Sequence, residues 1–397
     1  MARLVTCGFE MNTVTTGIEF TATSGSPTIS STTVRSGTYA GRISSLASAT
    51  QMRFRLQYVS SAGNGPYFAR LYLRVHTAPS AANRIITMRD TGNGADRCWI
   101  TLDNSSTLAL FNGGGSQIGS SSSALTADTW YMVELRIDRS PAGGSQIIEA
   151  RLNGTVFATS SAQTISTNAG DTLNFGGNLN GEAQTTGDWF FDDIAVNDST
   201  GSFQKTYPGS GKIIALRPNA AGDANSFVTQ TGGTAGSSNN YTRVNEVTPD
   251  DATTFNGSST LNQEDLFNVT DSGLTVSDMV NCVFILMRFR NNTADATTAI
   301  KAEIEKTASG TIQQSSALIP NSTLWKTTST GSTFPIGSLL VAYQDPDGAN
   351  WTKSTLDTMQ IGYKLTAVGT NRIDVTNIAA MVDYTSNTSA FFSIIGM

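Results

Sequence analysis

The chain has 397 residues, a formal net charge of -6 and only 14% charged residues. Its length predicts about two or three domains, and the lack of a long basic run argues against a nucleic-acid-binding groove. No apolar run of about 18 residues occurs, so we expect no membrane-spanning helix, and the N-terminal residues lack the apolar segment of a signal peptide.

Short apolar runs between clusters of Gly, Ser, Thr and Asn predict an all-β protein with many turns. Between residues 4 and 196 we expect roughly a dozen strands, and their short connections indicate antiparallel sheets. The segments from Met52 to Tyr58 and from Tyr67 to Val75 alternate clearly. Their arginines, such as Arg53 and Arg70, are expected on solvated strand faces. A break in the alternation at Ala69 to Leu71 predicts a bulge.

The stretch from Trp130 to Ala158 predicts a three-stranded antiparallel meander. In WYMVELRID, apolar and polar residues alternate, which excludes a helix. The SPAGGS turn leads to a return strand that ends at Asn153-Gly154, a pair that favours a type I′ hairpin turn. That turn would pair its two flanking residues with each other and, two positions on, Ala150 with Phe157.

Two further strands, Asp171 to Gly176 and Trp189 to Val196, close this half. Together with the meander, this order resembles the concanavalin A-like, laminin-G-like jelly roll, and it is similar in particular to the version found in bacteriophage virion proteins. The residues that carry the resemblance are Trp130, Glu134, Arg136, Asp138, Leu152, Asn153, Gly154, Phe175, Gly176, Asp192, Asp193 and Val196. The resemblance implies a β-sandwich but does not fix a function, because such sandwiches occur in lectins, glycosidases, adhesion modules and particle coats.

The composition changes after Val196, where Gly, Ser, Thr and Pro become frequent. We therefore expect residues 1–200 to form the first sandwich and residues 201–278 to form a glycine-rich connector with short strands. Within it, the segment YPGSGKIIALRPNAAGD resembles one that follows the sandwich in phage proteins, which favours a virion protein. Asn219 to Asn240 is expected to be an exposed loop or a spacer against a neighbouring subunit.

Residues 279–397 show the same pattern of strands separated by turns. They predict a second antiparallel β-sandwich, completed by strands of the connector. TMQIGY matches TLNFGG and RIDVTNIAAMV matches WFFDDIAV, either through divergent duplication or through convergent strand composition. The predicted fold class is all-β, with two tandem jelly-roll domains. The apolar C-terminus, Ser389 to Met397, is expected to enter its own sheet or to dock on a neighbour.

Four carboxylates are candidates for acid–base chemistry, and each has a structural alternative. Asp192 and Asp193 are adjacent on a strand, so their side chains should point to opposite faces and form no catalytic pair. Structural hydrogen bonds are their favoured role. Glu303 and Glu305 share a strand face, but the lysines that flank them favour a solvated surface. No acidic cluster typical of jelly-roll glycosidases is present, and no catalytic residue is predicted.

Metal and cofactor sites are not predicted either. His76 is the only histidine, which excludes a site with several imidazoles, and it is expected to be exposed beside a turn. The segment DPDGAN, Asp345 to Asn350, resembles half of a calcium loop but lacks the downstream glutamate, so an Asp/Gly turn is favoured. Free, buried thiols are predicted for Cys7, Cys98 and Cys282. Four tryptophans could stack on sugars but are expected to fill cores: Trp99, Trp189, Trp325 and Trp351.

These patterns predict a non-catalytic structural protein of a bacteriophage particle, assembled in the host cytoplasm and displayed on the virion surface as a capsid decoration, head fibre or tail component. It would act by assembly with other virion proteins, such as major capsid or tail proteins, and with its own copies, a trimer being the expectation. No cofactor, nucleic acid or membrane insertion is expected. The alternative is a carbohydrate-binding, lectin-like module for adsorption to a host-surface glycan. A polysaccharide-degrading enzyme is the third hypothesis.

Overall fold

The computed structural model describes residues 3–45, 52–57, 65–90, 94–165, 170–177, 186–328 and 340–387. Strands dominate, and they pair antiparallel into four sheets, here called sheets I to IV. Sheets I and II enclose one hydrophobic core, and sheets III and IV enclose a second. The predicted all-β sandwich class is confirmed.

The first sandwich is built from the strands before residue 200. In chain order they are β1 Arg3–Cys7, β2 Ala22–Ser24, β3 Thr28–Ser30, β4 Ala40–Ser45, β5 Arg53–Gln57, β6 Tyr67–Thr77, β7 Asn83–Asp90, β8 Asp96–Leu102, β9 Leu108–Asn112, β10 Gln117–Ile118, β11 Trp130–Asp138, β12 Gln146–Leu152, β13 Thr155–Gln163, β14 Gly170–Gly176 and β15 Gly187–Asp198.

Sheet I has the order β13-β12-β11-β6-β15-β4-β3, with β1 also paired to β15, and sheet II has the order β10-β9-β8-β7-β14-β5-β2. Because side chains alternate between the two faces of a strand, every second residue of β15 enters the core. Trp189 and Phe191 are fully buried there. On the sheet II side, Phe54 and Phe175 stack at 5.3 Å between ring centroids, which adds to the free energy of burial.

The meander from β11 to β13 forms as predicted, with one difference in register. Asn153 and Gly154 both have positive φ, 50° and 81°, as a type I′ turn requires. The residues that flank the turn pair with each other, but Ala150 pairs with Ala158 and not with the predicted Phe157. The prediction was wrong because the register shifts between Ala150 and the next residue, and the alternation of this hairpin gave no sign of the shift.

The second sandwich contains the remaining strands. They are β16 Lys212–Leu216, β17 Pro218–Asn225, β18 Thr229–Thr231, β19 Phe255–Ser258, β20 Glu264–Val269, β21 Met279–Asn291, β22 Ala299–Glu305, β23 Ile312–Gln314, β24 Lys326–Thr327, β25 Val341–Ala342, β26 Gln360–Ala367 and β27 Ile373–Thr385. Sheet III has the order β18-β19-β27-β21-β24, with β16 paired to β27 and β25 to β21, and sheet IV has the order β17-β20-β26-β22-β23.

The segment predicted as a connector supplies strands to both of these sheets. β16, β18 and β19 enter sheet III, and β17 and β20 enter sheet IV. The exposed loop expected over Asn219 to Asn240 was wrong, because pairing of β17 with β20 imposes an extended backbone on an Ala-, Gly- and Asp-rich sequence that has little strand propensity. Ser389 to Met397, which are predicted to enter their own sheet or to dock on a neighbour, lie outside the described residues.

Two short helices interrupt the described part of the second half. A 3-10 helix covers Ser237–Arg243, and α1 covers Lys353–Thr358. Thr352 caps α1, since its side chain accepts from the backbone N–H of Thr355 and the Thr355 hydroxyl oxygen accepts from the backbone N–H of Thr352. Among the described residues, no helix has the length and apolar character needed to cross a bilayer.

A buried ion network joins the two sandwiches. Asp383 of β27 accepts from Arg3 Nη1 at 2.5 Å and lies 3.2 Å from Arg70 Nη2, and all three side chains are fully buried. The expectation that Arg70 faces solvent was therefore wrong, because the second sandwich covers this face of sheet I. Burial alone would raise the pKa of Asp383, but Arg70 and Arg3 lower it below its ordinary value.

The N-terminal loop extends the same junction. Met11 and Ile18 follow the first strand of the first sandwich, yet their side chains belong to the core of the second. Arg217, from the second sandwich, donates to the backbone carbonyl of Glu10 at 2.6 Å. The two sandwiches therefore share apolar packing as well as ion pairs, and their relative orientation is fixed by buried contacts.

Candidate functional site

The adjacent aspartates of β15 lie at the junction and not at an open surface. Asp193 has a positive φ of 52°, and the register between β15 and β6 shifts here. The bulge predicted in β6 is therefore found in its partner strand. It turns both carboxylates toward one segment: Asp192 accepts from the backbone N–H of Arg35 at 2.8 Å, and Asp193 accepts from its guanidinium at 2.5 Å.

The prediction that these two side chains point to opposite faces was wrong, because a bulge breaks strand alternation. Ser36 completes the arrangement, since its hydroxyl donates to Asp193 and its backbone N–H donates to Asp192. Burial raises the pKa of Asp192 well above its ordinary value. Both carboxylates are occupied by hydrogen bonds that tie the loop before β4 to the junction.

Glu303 and Glu305 are both buried in sheet IV, so the expected solvated face was wrong. Gln314 donates to Glu303, and the backbone N–H of Gly310 donates to Glu305 at 3.0 Å. The sequence missed a further neighbour: burial and the nearby carboxyl of Glu264 raise the pKa of Glu303 to about 8. A raised carboxyl pKa is common in general acids, but a fully buried Glu303 cannot contact a substrate.

The other predicted positions have structural surroundings. In the DPDGAN turn, Asp345 and Asp347 both form ion pairs with Lys306 Nζ, at 2.9 and 2.7 Å. The lysine ammonium group therefore neutralises the two carboxylates that a calcium ion would need as ligands. Among the described residues, no group of three or more His, Cys, Asp and Glu is arranged to hold a metal ion. The thiols Cys7, Cys98 and Cys282 are free and buried, as predicted. Trp189 and Trp351 lie in the two cores, as predicted. Trp99 is buried outside them, where Arg84 lies over its ring and Phe111 stacks on it at 5.8 Å.

His76 is exposed as expected, with 54% of its side chain accessible, but it borders a groove that the sequence did not reveal. We call this the polar groove, a cavity of about 270 Å³ on the outer face of sheet I. Its lining consists of Ser30, Thr32, Thr33, Arg42, Arg74, His76, Asp128, Asp188 and Phe190. A second cavity of about 470 Å³ shares Arg42, His76 and Asp188 with it. The two together match the size of small-ligand sites.

Strand register creates the groove. Phe190 of β15 lies opposite Arg42 of β4 on one side and opposite Arg74 of β6 on the other, so three side chains from three neighbouring strands stand in a row. Their sequence neighbours Ile43, Val75 and Phe191 point inward and fill the core. β6 shows this alternation in the sequence, whereas in β15 Phe190 stands between two other aromatic residues, and the sequence does not say which strands are neighbours.

Arg42 and Asp188 form one wall of the groove. Arg42 donates through Nε to Asp188 Oδ1 at 3.0 Å and through Nη2 to Asp188 Oδ2 at 2.6 Å. This is a two-point ion pair, which fixes orientation as well as charge. The hydrogen bond to Asp188 raises the pKa of Arg42 above its ordinary value. Arg42 is 41% exposed and Asp188 only 13%, so the guanidinium is the outward member of the pair.

Asp128 organises the opposite wall. His76 Nδ1 lies 2.8 Å from Asp128 Oδ1, and Arg74 Nη2 lies 2.7 Å from the same oxygen. The hydrogen bond with His76 and the positive charge of Arg74 lower the pKa of Asp128. Nearby, Ser30 Oγ accepts from the backbone N–H groups of Thr32 and Thr33, so its own hydroxyl proton points elsewhere.

Phe190 forms the apolar floor between the walls. The guanidinium carbons of Arg42 and Arg74 lie 5.3 and 5.5 Å from its ring centroid, within the range of a cation–π contact. No hydrogen bond joins His76 to a serine or threonine within the described part of the chain, so no nucleophile and base are paired here. The groove therefore combines hydrogen-bond donors and acceptors above a ring that is 5% exposed.

A third cavity, of about 370 Å³, lies at the junction and has a different character. We call it the apolar cleft; its lining includes Phe203, Val276, Met279, Val280, Tyr343 and Trp351. Val276 is 94% exposed, Met279 60% and Phe203 43%. The rings of Phe203 and Tyr343 stack at 5.3 Å. Large exposed apolar side chains gathered at one place are typical of interaction surfaces.

Comparisons with known proteins bear on the fold alone. No protein-family model matches the chain, and no curated protein matches it in sequence. Among solved structures, it is similar to the cellulose-induced protein Cip1, with 17% identity over 47% of this chain and 88% of that one and a TM-score of 0.32.

It is also similar to domain 4 of AbnA, an extracellular arabinanase of Geobacillus stearothermophilus solved with arabinotriose, with 14% identity over 50% of this chain and 93% of that one and a TM-score of 0.34. The alginate lyase Aly36B, solved as a mutant with alginate tetrasaccharide, matches with 15% identity over 48% and 95% and a TM-score of 0.35. At such values these likenesses assign no activity, and function must be argued from the residues of this chain.

Proposed function

We propose that this protein is a non-catalytic structural component of a bacteriophage virion, displayed on the particle surface and acting by subunit assembly. The phage-like segment from Tyr207 to Asp223 supports the virion context. The buried ion network around Asp383 supports a structural role in an assembly, since it joins the two sandwiches into one rigid body whose outer surfaces keep a fixed orientation.

The observation that carries the proposal is the apolar cleft. A side chain such as Val276, which is almost fully accessible, gains free energy of about 1.5–3 kcal/mol when it is buried in a partner. Met279 and Phe203 add to the same patch. As the occupant we propose a second copy of this chain. In a cyclic trimer the cleft of each subunit would meet a different surface of the next subunit, and this contact would be repeated around the axis.

The assembly role is tested with the purified full chain by native mass spectrometry and analytical ultracentrifugation. The wild type is expected to form a homo-oligomer that Val276→Asp dissociates. Val228→Asp is the matched control, because Val228 is well exposed but does not line the cleft. A wild-type monomer at high micromolar concentration, or an oligomer that Val276→Asp leaves intact, contradicts the role of the cleft.

The virion context needs its own experiment. Mass spectrometry of density-banded phage particles from a lysate that contains the protein should detect it in the particle fraction, and electron microscopy should place it on the outside. A protein recovered only as free material, with none in the particle band, contradicts the virion assignment.

A second function, carbohydrate binding, is favoured by the polar groove. Saccharides offer hydroxyls that both donate and accept. The groove presents donors in Arg42 and Arg74 and an exposed acceptor in Asp128. A glycan array probed with the wild type is expected to give signals that Arg42→Ala weakens by about ten-fold or more.

Arg136→Ala is the matched control for this experiment. Arg136 also pairs with an aspartate, Asp138, at 2.7 Å and lies 5.8 Å from the ring of Phe68, but it is outside the groove. Silence of the wild type on the array, or equal signals from both variants, contradicts carbohydrate binding by the groove.

A further inference from the structure

We infer that the polar groove selects a saccharide that carries a carboxylate, and that this carboxylate binds between Arg42 and Arg74. The inference rests on the second proposed function, carbohydrate binding by the groove, and narrows its ligand class to uronic acids and similar acidic sugars.

The two guanidiniums lie on either side of one aromatic ring. Arg42 and Arg74 come from strands on either side of β15, and their guanidinium carbons lie 5.3 and 5.5 Å from the ring centroid of Phe190, which is itself only 5% exposed. A carboxylate bound at the surface between the two guanidiniums can reach both cations at once. Arginine is suited to this task because its planar fork matches the two oxygens of a carboxylate.

The groove leaves several hydrogen-bond donors unused. Arg42 donates from Nε and Nη2 to the carboxylate of Asp188. Arg74 donates from Nε to the backbone carbonyl of Asp128 and pairs through Nη2 with its carboxylate. Within the described residues, neither Nη1 has a partner. The hydroxyl of Ser30 receives two backbone N–H groups and keeps its own proton for an acceptor. A carboxylate, which only accepts hydrogen bonds, suits these unused donors better than a hydroxyl, which also donates.

The two walls of the groove expose different charges. Asp188 lies beneath Arg42 and is only 13% exposed, so a ligand at this wall meets the guanidinium before the carboxylate. At the opposite wall Asp128 is the more exposed member, with 48% of its side chain accessible against 19% for Arg74, so the carboxylate of an acidic ligand binds closer to Arg42. The chain as a whole carries a net charge of -6, so affinity for an anion is not a general property of its surface. Any such affinity must come from a local site such as this one.

The test compares oligogalacturonate with its carboxyl-reduced, neutral form and with a sulfated oligosaccharide of equal length, by isothermal titration calorimetry on the full chain. The wild type is expected to bind oligogalacturonate about ten-fold or more tightly than the other two. Arg42→Ala and Arg74→Ala should each abolish this preference, and Arg136→Ala should retain it. Arg42→Lys, which keeps the charge but loses the fork, is expected to retain only part of it.

The outcomes separate the two claims. Equal binding of the acidic and neutral oligosaccharides overturns the carboxylate inference but leaves carbohydrate binding in place. A preference for the sulfated oligosaccharide also overturns it. A preference for oligogalacturonate that survives both arginine variants, whose folding is verified by their thermal unfolding, shows that the anion binds elsewhere. Absence of binding to every glycan overturns both claims.

Discussion

Arg70 of the first sandwich and Asp383 of the second form a fully buried ion pair, 3.2 Å between Nη2 and Oδ2. Arg3 shares the same carboxylate. Two guanidiniums therefore depend on one anion in a region that water does not reach. Such a contact fixes the relative position of the sandwiches, because sliding would leave buried charges without partners.

Asp383→Asn is expected to lower the free energy of unfolding by about 3–5 kcal/mol, because it leaves Arg3 and Arg70 buried without a full counter-charge. Urea unfolding of the full chain, followed by tryptophan fluorescence, measures the change. Lys353→Ala is the control: it removes a more accessible ion pair with Asp357 and should cost no more than about 1 kcal/mol. Equal losses for both variants would refute the special role of the junction.

Gly211→Ala is expected to destabilise the same network by about 1–3 kcal/mol. A methyl group here would overlap the guanidinium of Arg70 and the carboxylate of Asp383, and neither can move away without breaking the pair. Gly143→Ala is the matched control, because a methyl group at Gly143 meets open space.

The cost of Gly211→Ala should shrink in the Asp383→Asn background, since residues in one network do not act additively. Denaturant unfolding of the two single variants and the double variant gives the coupling energy. Additive losses would show that the methyl group acts through the local loop and not through the ion network.

The sequence predicted the strands well because alternation is local. β6, β11, β15, β21 and β27 all lie where the alternating or apolar segments predict them, and the Asn153-Gly154 turn follows from backbone preferences of the two residues themselves. Packing between segments that are far apart in the chain cannot be predicted from local alternation. Arg70 looks the same in the sequence whether its face meets water or a second sandwich.

The polar groove was missed for a related reason. Arg42, Phe190 and Arg74 are far apart in the chain and meet only because β4, β15 and β6 are neighbours in sheet I. In β6 the arginines alternate with apolar residues, and this signal was interpreted as a solvated face. Glu303 and Glu264 came together through the order of sheet IV in the same way.

The three thiols are expected to resist modification in the folded protein. Cys7, Cys98 and Cys282 are buried, and burial raises the thiol pKa of Cys98 to about 12 and of Cys282 to about 11. The thiolate is the reactive species, so Ellman's reagent should label almost no thiol at neutral pH until guanidinium unfolds the chain. Fast labelling of any cysteine in the native protein would show that one of the cores opens readily.

Glu10 should make the protein less stable as the pH rises. It is a buried carboxyl at the junction, and burial raises its pKa to about 8, although backbone N–H groups of Thr38 and Tyr39 oppose the shift. Between its ordinary pKa and about pH 8 the folded state holds a proton that the unfolded state has lost. The free energy of unfolding therefore falls across this window, by up to about 1.4 kcal/mol per pH unit.

Glu10→Gln keeps the accepting oxygen without the charge. In urea unfolding it should be as stable as the wild type near pH 5 and more stable than the wild type near pH 9. Asp347→Asn is the control, because Lys306 lowers the pKa of Asp347 and this group stays ionised throughout the window. Parallel stability curves for the wild type and Glu10→Gln would mean that water or a shifted Arg217 neutralises the buried charge.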